Sequence, residues 1–550
     1  GIGYNRRQRI IRRGLKDIFR LEQYMDHIKF ADRSNAFFNK ESTRRALFWL
    51  ILACGIFARV YRFGTMPAGI NQDEAFAGYE AWSLLRYGID TAGYHNPVYL
   101  TAWGSGMNAL ETYLMMPFLA VFGLKVWVIR LPQLIVSCLS IWVVYLLVRR
   151  TVNERAGLFA MFMLAICPWH IIMSRWGLES NLAPGFLLFG LYFFIRGLDR
   201  PRFFMLSALM YGLSLYTYAT IWVYVPLIIL VQFIYCAACG KIRFGRSIVF
   251  SVLILGVLAA PLLLFIAVNY GWIGEIRLPF MSIPKLMYMR TGEISLDEKR
   301  KKLELFFDIF IRQNDGNIWS SPEKFGLFYY ISMPFALLGF IYVLSRTVMG
   351  IREKEFCPEA LLIVQLVVSL PQLILLKANV TKINIMFVPV VILTALGAYF
   401  LSTVTRRELL AALAAVYLAL FAGFEVYYFT QYDMQTREHF SYGLEDALDF
   451  AEEKGSGRIY VDENEFYTKI LFYTAMPVDE FRDTVQYLYY PAAYLHALSF
   501  DRFCMWSDPY QPENDAVYII KKDADLGLLP EAGFETESFG EYIVAYKPAD

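Results

Sequence analysis

"GINQDEAFAGYEAW", residues 69–82, places two adjacent carboxylates, Asp73 and Glu74, about ten residues beyond an apolar run able to cross a bilayer. Phe76, Tyr79, Trp82 and Leu85 recur at helical spacing, so a helix starting at Asn71 is expected. With Asn71 as the N-cap, Glu74 falls at the third helical position, where a carboxylate reaches back to the cap amide in a capping box. Glu74 therefore has a structural use available. Asp73 either faces the positive end of the helix or is the carboxylate left to meet a substrate.

What surrounds this helix fixes the class of protein. The chain is 57% apolar and 19% charged with a mean hydropathy of +0.40, too apolar for a soluble chain of 550 residues. Apolar runs lie near 46–63, 126–148, 156–173, 182–196, 203–218, 221–239, 247–268, 327–345, 359–376, 383–402 and 408–428, giving about eleven expected spans. Lys/Arg clusters sit at Arg6 to Arg20, Arg44/Arg45, Arg149/Arg150/Arg155, Arg196/Arg200/Arg202, Lys241/Arg243/Arg246, Arg346/Arg352/Lys354 and Arg406/Arg407. With a cytoplasmic N-terminus every cluster falls inside, provided that 112–124 ("TYLMMPFLAVFGL") lies along or re-enters the outer face.

The expected fold is thus an α-helical polytopic membrane protein with juxtamembrane helices and a small C-terminal α/β domain. A basic cytoplasmic segment (1–45) precedes a membrane domain (46–430) with external loops at 64–125 and 269–326. Residues 431–550 form an external soluble domain, where acidic helical stretches alternate with β-like runs "GRIYVDE", "DAVYIIKK" and "EYIVAYKP". No P-loop, GxGxxG fingerprint or zinc-type histidine pair is visible in that tail. The long basic stretch before the first apolar run is unlike the short leading region of a cleavable signal peptide. A bacterial, multi-pass cell-membrane location with Asp73 outside is the expectation.

Two further external clusters carry charge. "CPWHIIMSRWGLESNLAP", residues 167–184, crowds His170, Arg175, Glu179 and Asn181 into one outer turn. Trp169 and His170 read as interfacial belt residues and Asn181 as a helix N-cap, whereas Arg175 runs against the inside bias of the other cations and suggests an anionic partner. "LLKANVTKINIMF", residues 375–387, holds Lys377 and Lys382 in a tight outer turn, either snorkelling or joining Arg175 at a phosphate.

The acidic pair, the membrane-surface helix after it, "RLP" at Arg130 to Pro132 and "PWHIIMSR" at 168–175 resemble the GT-C glycosyltransferases. Within them the chain is similar to the group holding protein O-mannosyltransferases, the lipid A aminoarabinose transferase and the rhizobial lipopolysaccharide transferases, over roughly 46–430. The resemblance implies a polyprenyl-phosphate sugar donor, a glycan, lipid or protein acceptor, contact with membrane lipids and no nucleic acid. It implies Asp73 as the base of an inverting transfer, with Arg175, Lys377 and Lys382 neutralising the leaving phosphate and Glu74, His170 and Glu179 lining the substrate site. No second external histidine matches a metal site, so no cofactor is certain and a divalent metal on His170 and Glu179 stays an open alternative. A lipid or polysaccharide transporter, and an O-antigen-ligase-like enzyme with a pyrophosphate-linked donor, are the competing readings.

Overall fold

The computed structural model describes residues 40–289, 297–405, 408–506 and 512–548. Most of the basic N-terminal segment and the Arg406/Arg407 pair lie outside the described residues.

Each apolar run is helical. Among the described residues seven helices are long and apolar enough to cross a membrane: Leu131–Thr151, Glu179–Asp199, Ile221–Ala238, Arg246–Asn269, Ser332–Glu353, Val380–Val404 and Glu408–Thr436. The helix Glu41–Val60 has the length but carries Glu41, Arg44, Arg45 and Arg59. The difference from eleven uniform spans has a local cause, because proline breaks two of the runs. Run 156–173 divides into Glu154–Ala165 and Pro168–Met173, and run 359–376 into Ala360–Ser369 and Gln372–Leu375 beside Pro371. Helix Phe203–Ser214 is also short. Leu110–Phe122 has 13 residues, roughly 20 Å of rise against about 30 Å of hydrocarbon, so it cannot cross by itself.

Helices Ser332–Glu353 and Phe387–Val404 cross at two glycines. A Cβ at Gly339 would lie 1.9 Å from the Leu393 carbonyl oxygen, and one at Gly397 would lie 1.9 Å from that of Phe335. Only glycine permits this approach, the small-residue packing expected where no water drives helices together.

Broken helices leave carbonyls without partners, and two arginines satisfy them. Arg59 donates to Ala165 O at 2.8 Å and Leu164 O at 3.1 Å, where Glu154–Ala165 ends. Arg175 donates to Ala58 O (3.1 Å), Arg59 O (2.9 Å), Tyr61 O (2.7 Å) and Met66 O (3.2 Å), closing the end of Glu41–Val60.

The C-terminal segment builds a seven-stranded sheet from β1 (Ile459–Asp462), β2 (Gln486–Tyr487), β3 (Ala497–Phe500), β4 (Phe503–Trp506), β5 (Val517–Lys521), β6 (Glu535–Phe539) and β7 (Tyr542–Tyr546). Its order is β6-β7-β5-β1-β4-β3-β2. Strand β1 is parallel to both neighbours while the flanking pairs are antiparallel. The three β-like runs of the sequence are strands β1, β5 and β7. Helices Leu444–Lys454, Tyr467–Thr474 and Val478–Thr484 accompany the sheet.

This unit shares its core with the stretch 70–129. Phe76, Trp103 and Ile129 pack in one cluster with Leu448, Val461, Ile470 and Phe503. Tyr79 donates to Met476 O at 2.7 Å, and Ile70 N donates to Phe440 O at 2.6 Å. The helix carrying Asp73 is thus held between the bundle and the sheet.

Candidate active site

The site grows from the N-terminus of helix Gln72–Arg86. Asn71 is its cap, with Asp73 N donating to Asn71 Oδ1 at 2.9 Å, and Asn71 N donating to Glu74 Oε1 at 3.0 Å completes the capping box. Glu74 is fully buried and forms a two-point ion pair with Arg130, Nε to Oε2 at 3.0 Å and Nη2 to Oε1 at 2.5 Å. Gly177 N also donates to Glu74 Oε2 at 2.9 Å, and Arg130 donates to Pro67 O and Gly69 O. Glu74, expected at the substrate, is instead enclosed in a structural ion pair, because its cap position turns the carboxylate inward against Arg130. Asp73, one position earlier, remains half-buried.

Two more acids meet here. Asn108 N donates to Glu179 Oε2. Glu111, at the start of Leu110–Phe122, is 1% exposed, and its Oε1 lies 3.0 Å from where a Cβ of Gly177 would stand. Burial, with the neighbouring charges of Glu179, Glu74 and Asp73, raises the Glu111 carboxyl well above the usual carboxylate range. The shift favours the protonated form, which can donate a hydrogen bond.

Around these acids several buried polar atoms lack protein partners: Glu111 Oε1, Thr112 Oγ1, both side-chain ends of Asn108 and of Asn181, Ser180 Oγ and Trp176 Nε1. Native interiors leave few such atoms, and this cluster of them forms a polar region, an acidic chamber, with groups free to bond a ligand. Asn181 does not cap the following helix as expected. Leu182 holds that position, and Asn181 lies in the 3-10 turn Glu179–Leu182 with its amide unpartnered.

The turn bearing Lys377 and Lys382 joins this chamber. Asn384 Nδ2 donates to Ser180 O at 2.9 Å, and Val380 N donates to Asp315 Oδ2 at 2.8 Å. Asp315 also accepts from Asn317, Ser320 and Ser321, anchoring the loop before the helix Ser332–Glu353. Lys377 is exposed and Lys382 half-buried.

His170 and Arg175 sit elsewhere. His170 is buried with Nδ1 2.7 Å from Arg59 Nη2, and Trp169 is a core residue packed edge-on to Phe387 rather than an interfacial one. A guanidinium facing the imidazole is a poor neighbour for a metal cation, and among the described residues no group of three or more His, Cys, Asp or Glu could hold one. Arg175 is 0% exposed, its donors engaged by four carbonyls and its face against Phe429 at 5.1 Å. The phosphate contact expected of Arg175 is not available in this arrangement, since an orphaned helix end competes for the same donors.

Arg130, Glu111, Asn108 and Asn384 are the site residues that sequence reasoning missed. In the sequence Arg130 stands out only as the start of "RLP", and Glu111 only by its place just before the apolar run 112–124.

The model of the dolichyl-phosphate-mannose-protein mannosyltransferase family matches residues 110–267. Among solved structures the chain is similar to ArnT from Cupriavidus metallidurans bound to undecaprenyl phosphate, at 13% identity and a TM-score of 0.58 over 93% of this chain and 100% of that one. ArnT from the same organism in the apo state aligns at 13% identity and a TM-score of 0.55, over 92% and 99% of the two chains. No curated protein matches the sequence. The chain shares the fold of the two ArnT structures, and its described residues include seven helices long and apolar enough to cross a membrane.

Proposed function

We propose that this chain transfers a sugar from a polyprenyl-phosphate donor to a hydroxyl acceptor with inversion, on the outer face of the membrane, with Asp73 as the base. The observation carrying this reading is the division of labour at one helix start. Glu74 is consumed by Arg130 and the capping box, while its neighbour Asp73 stays half-buried beside a chamber of unpartnered polar atoms.

In this scheme Asp73 takes the proton of the acceptor hydroxyl as its oxygen attacks the anomeric carbon. The bond from that carbon to the phosphate oxygen breaks, and the polyprenyl phosphate leaves with the electron pair. Lys377 and Lys382, on the turn tied to Ser180, neutralise it. Glu111, Asn108 and Asn181 offer partners to the sugar hydroxyls. His170 and Arg175 act one step away, fixing the helix ends on which the chamber rests.

The purified protein, given a polyprenyl-phosphate sugar and a mixed acceptor extract, tests the reading. Release of polyprenyl phosphate with a glycosylated product supports it. Turnover only with a pyrophosphate-linked donor points to the ligase-like alternative, and lipid movement without bond cleavage points to a transporter.

A further inference from the structure

The C-terminal unit has no role in that scheme, yet Tyr467 and residues 482–495 form one wall of a cleft of about 530 Å³, a volume typical of a small-molecule site. The opposite walls are the stretch 91–102 after the Asp73 helix and the segment following the ribbon Ile276–Leu278/Met281–Ile283. Three cations face it, Arg277, Lys285 and Arg482, and no aspartate or glutamate is among its described lining residues.

These cations are incompletely neutralised. Arg277 pairs with Glu275 at 3.0 Å and lies over the Tyr94 ring at 4.3 Å, which fixes its plane. The Arg482 guanidinium has Asp479 only at 4.0 Å and rests against Gly93, where a Cβ would stand 2.6 Å from Nη2. At a φ of 82°, Gly93 is in the left-handed region, so backbone and guanidinium both call for glycine there. Lys285 is exposed and has no carboxylate partner among the described residues. Beside the cations stand Tyr487 and Tyr490, stacked with centroids 5.9 Å apart and planes 23° apart, the second 67% exposed. Flat aromatic faces with polar edges suit the apolar face of a sugar ring.

The cleft also leads towards the base. Its wall at Thr101 and Ala102 continues into Trp103, which packs on Phe76 at 5.2 Å. Phe76 lies three residues beyond Asp73 on the same helix, roughly 4.5 Å of rise.

We propose that this cleft binds the acceptor and that the acceptor is a negatively charged saccharide, its rings on Tyr487 and Tyr490 and its anionic group on Arg277, Lys285 and Arg482. This rests on the transferase reading and adds to it the acceptor's charge and the use of the C-terminal unit. Carboxylate and phosphate share the required chemistry.

Equilibrium binding to the purified full chain separates the cases, with trigalacturonate, glucosamine 1-phosphate and neutral maltotriose as probes. At least one anionic probe should bind saturably, more weakly as salt rises, and at least about fivefold tighter than maltotriose, the scale of one partly exposed charge pair. The tighter of the two anions identifies the charged group. K285E and R482E should each weaken that binding at least about fivefold. Thermal unfolding run alongside shows whether R482E is folded; if it is not, the exposed Lys285 alone decides. Equal binding of charged and neutral probes, or unchanged affinity in the folded variants, overturns the proposal. Because binding is read without turnover, persistence of transfer in D73N would sink the transferase mechanism and leave the cleft standing.

Discussion

Two buried polar regions of this molecule are built on opposite logic. In the arginine knot, Arg175 points all its nitrogens at main-chain carbonyls near a helix end, and Arg59 gives its terminal nitrogens to three carbonyls and His170. In the acidic chamber, Glu111, Asn108 and Asn181 hold side-chain atoms with no protein partner. A cluster whose groups are occupied by the chain's own backbone is architecture, whereas one with unused groups is able to receive a ligand. Charge type alone would have ranked them the other way, with a phosphate assigned to Arg175.

The largest effect should come from cutting the link between the regions. Arg130→Ala leaves Glu74 buried and unpaired, so a loss of about 3–5 kcal/mol is expected, read as failure to purify or a steep fall in Tm. A variant of near-native Tm would mean that water reaches the pair and that the comparison is drawn too sharply.

Arg175→Ala comes next, with about 1–3 kcal/mol for carbonyls left without a donor. Any folded fraction should keep the donor KM of the unmodified chain, and Arg175→Lys should recover only part of the Tm because one ammonium cannot serve four carbonyls in a plane. A raised KM at unchanged Tm would restore the phosphate role.

Acid sensitivity should arise in the sheet rather than in the chamber. Burial by itself would raise the Glu465 carboxyl, but Lys469 and Lys521 outweigh it and hold it at about 2. Its folded value lies below the ordinary 4.5, so its stabilising effect is present above pH 4.5 and lost as pH falls towards 2. Glu465→Gln should flatten that part of a Tm-against-pH curve.

Glu111 has the opposite sign. Its raised carboxyl contributes stability below the unfolded value and loses it as pH rises, so Glu111→Gln should leave Tm at pH 5 nearly unchanged and raise it at pH 9. Transfer should fall only slightly, since the amide still donates a hydrogen bond. Loss of transfer in Glu111→Gln with unchanged Tm at both pH values would show that Glu111 works as an anion.

What could be read from the sequence was local. The Asn71 cap and the Glu74 capping box follow from residues three apart, and the apolar runs follow from composition. The Glu74–Arg130 pair joins positions 56 apart and the Arg59–His170 contact positions 111 apart, and nothing in either stretch names its partner. Arg175 misled for the same reason, because the helix end it closes lies more than a hundred residues away. The breaks at Pro168 and Pro371 were visible as prolines, but their consequence, exposed carbonyls that recruit arginine, appears only when helices pack.

The division between Asp73 and Glu74 is the centre of this account, and the direct measurement is single-turnover transfer from a polyprenyl-phosphate sugar by Asp73→Asn and Glu74→Gln at matched folded protein. Asp73→Asn should bind donor normally and lose roughly 10²–10⁴-fold in rate, the range of a general base. Glu74→Gln should melt earlier and, where folded, transfer at close to the rate of the unmodified chain. An active Asp73→Asn beside a folded but inactive Glu74→Gln would contradict the assignment.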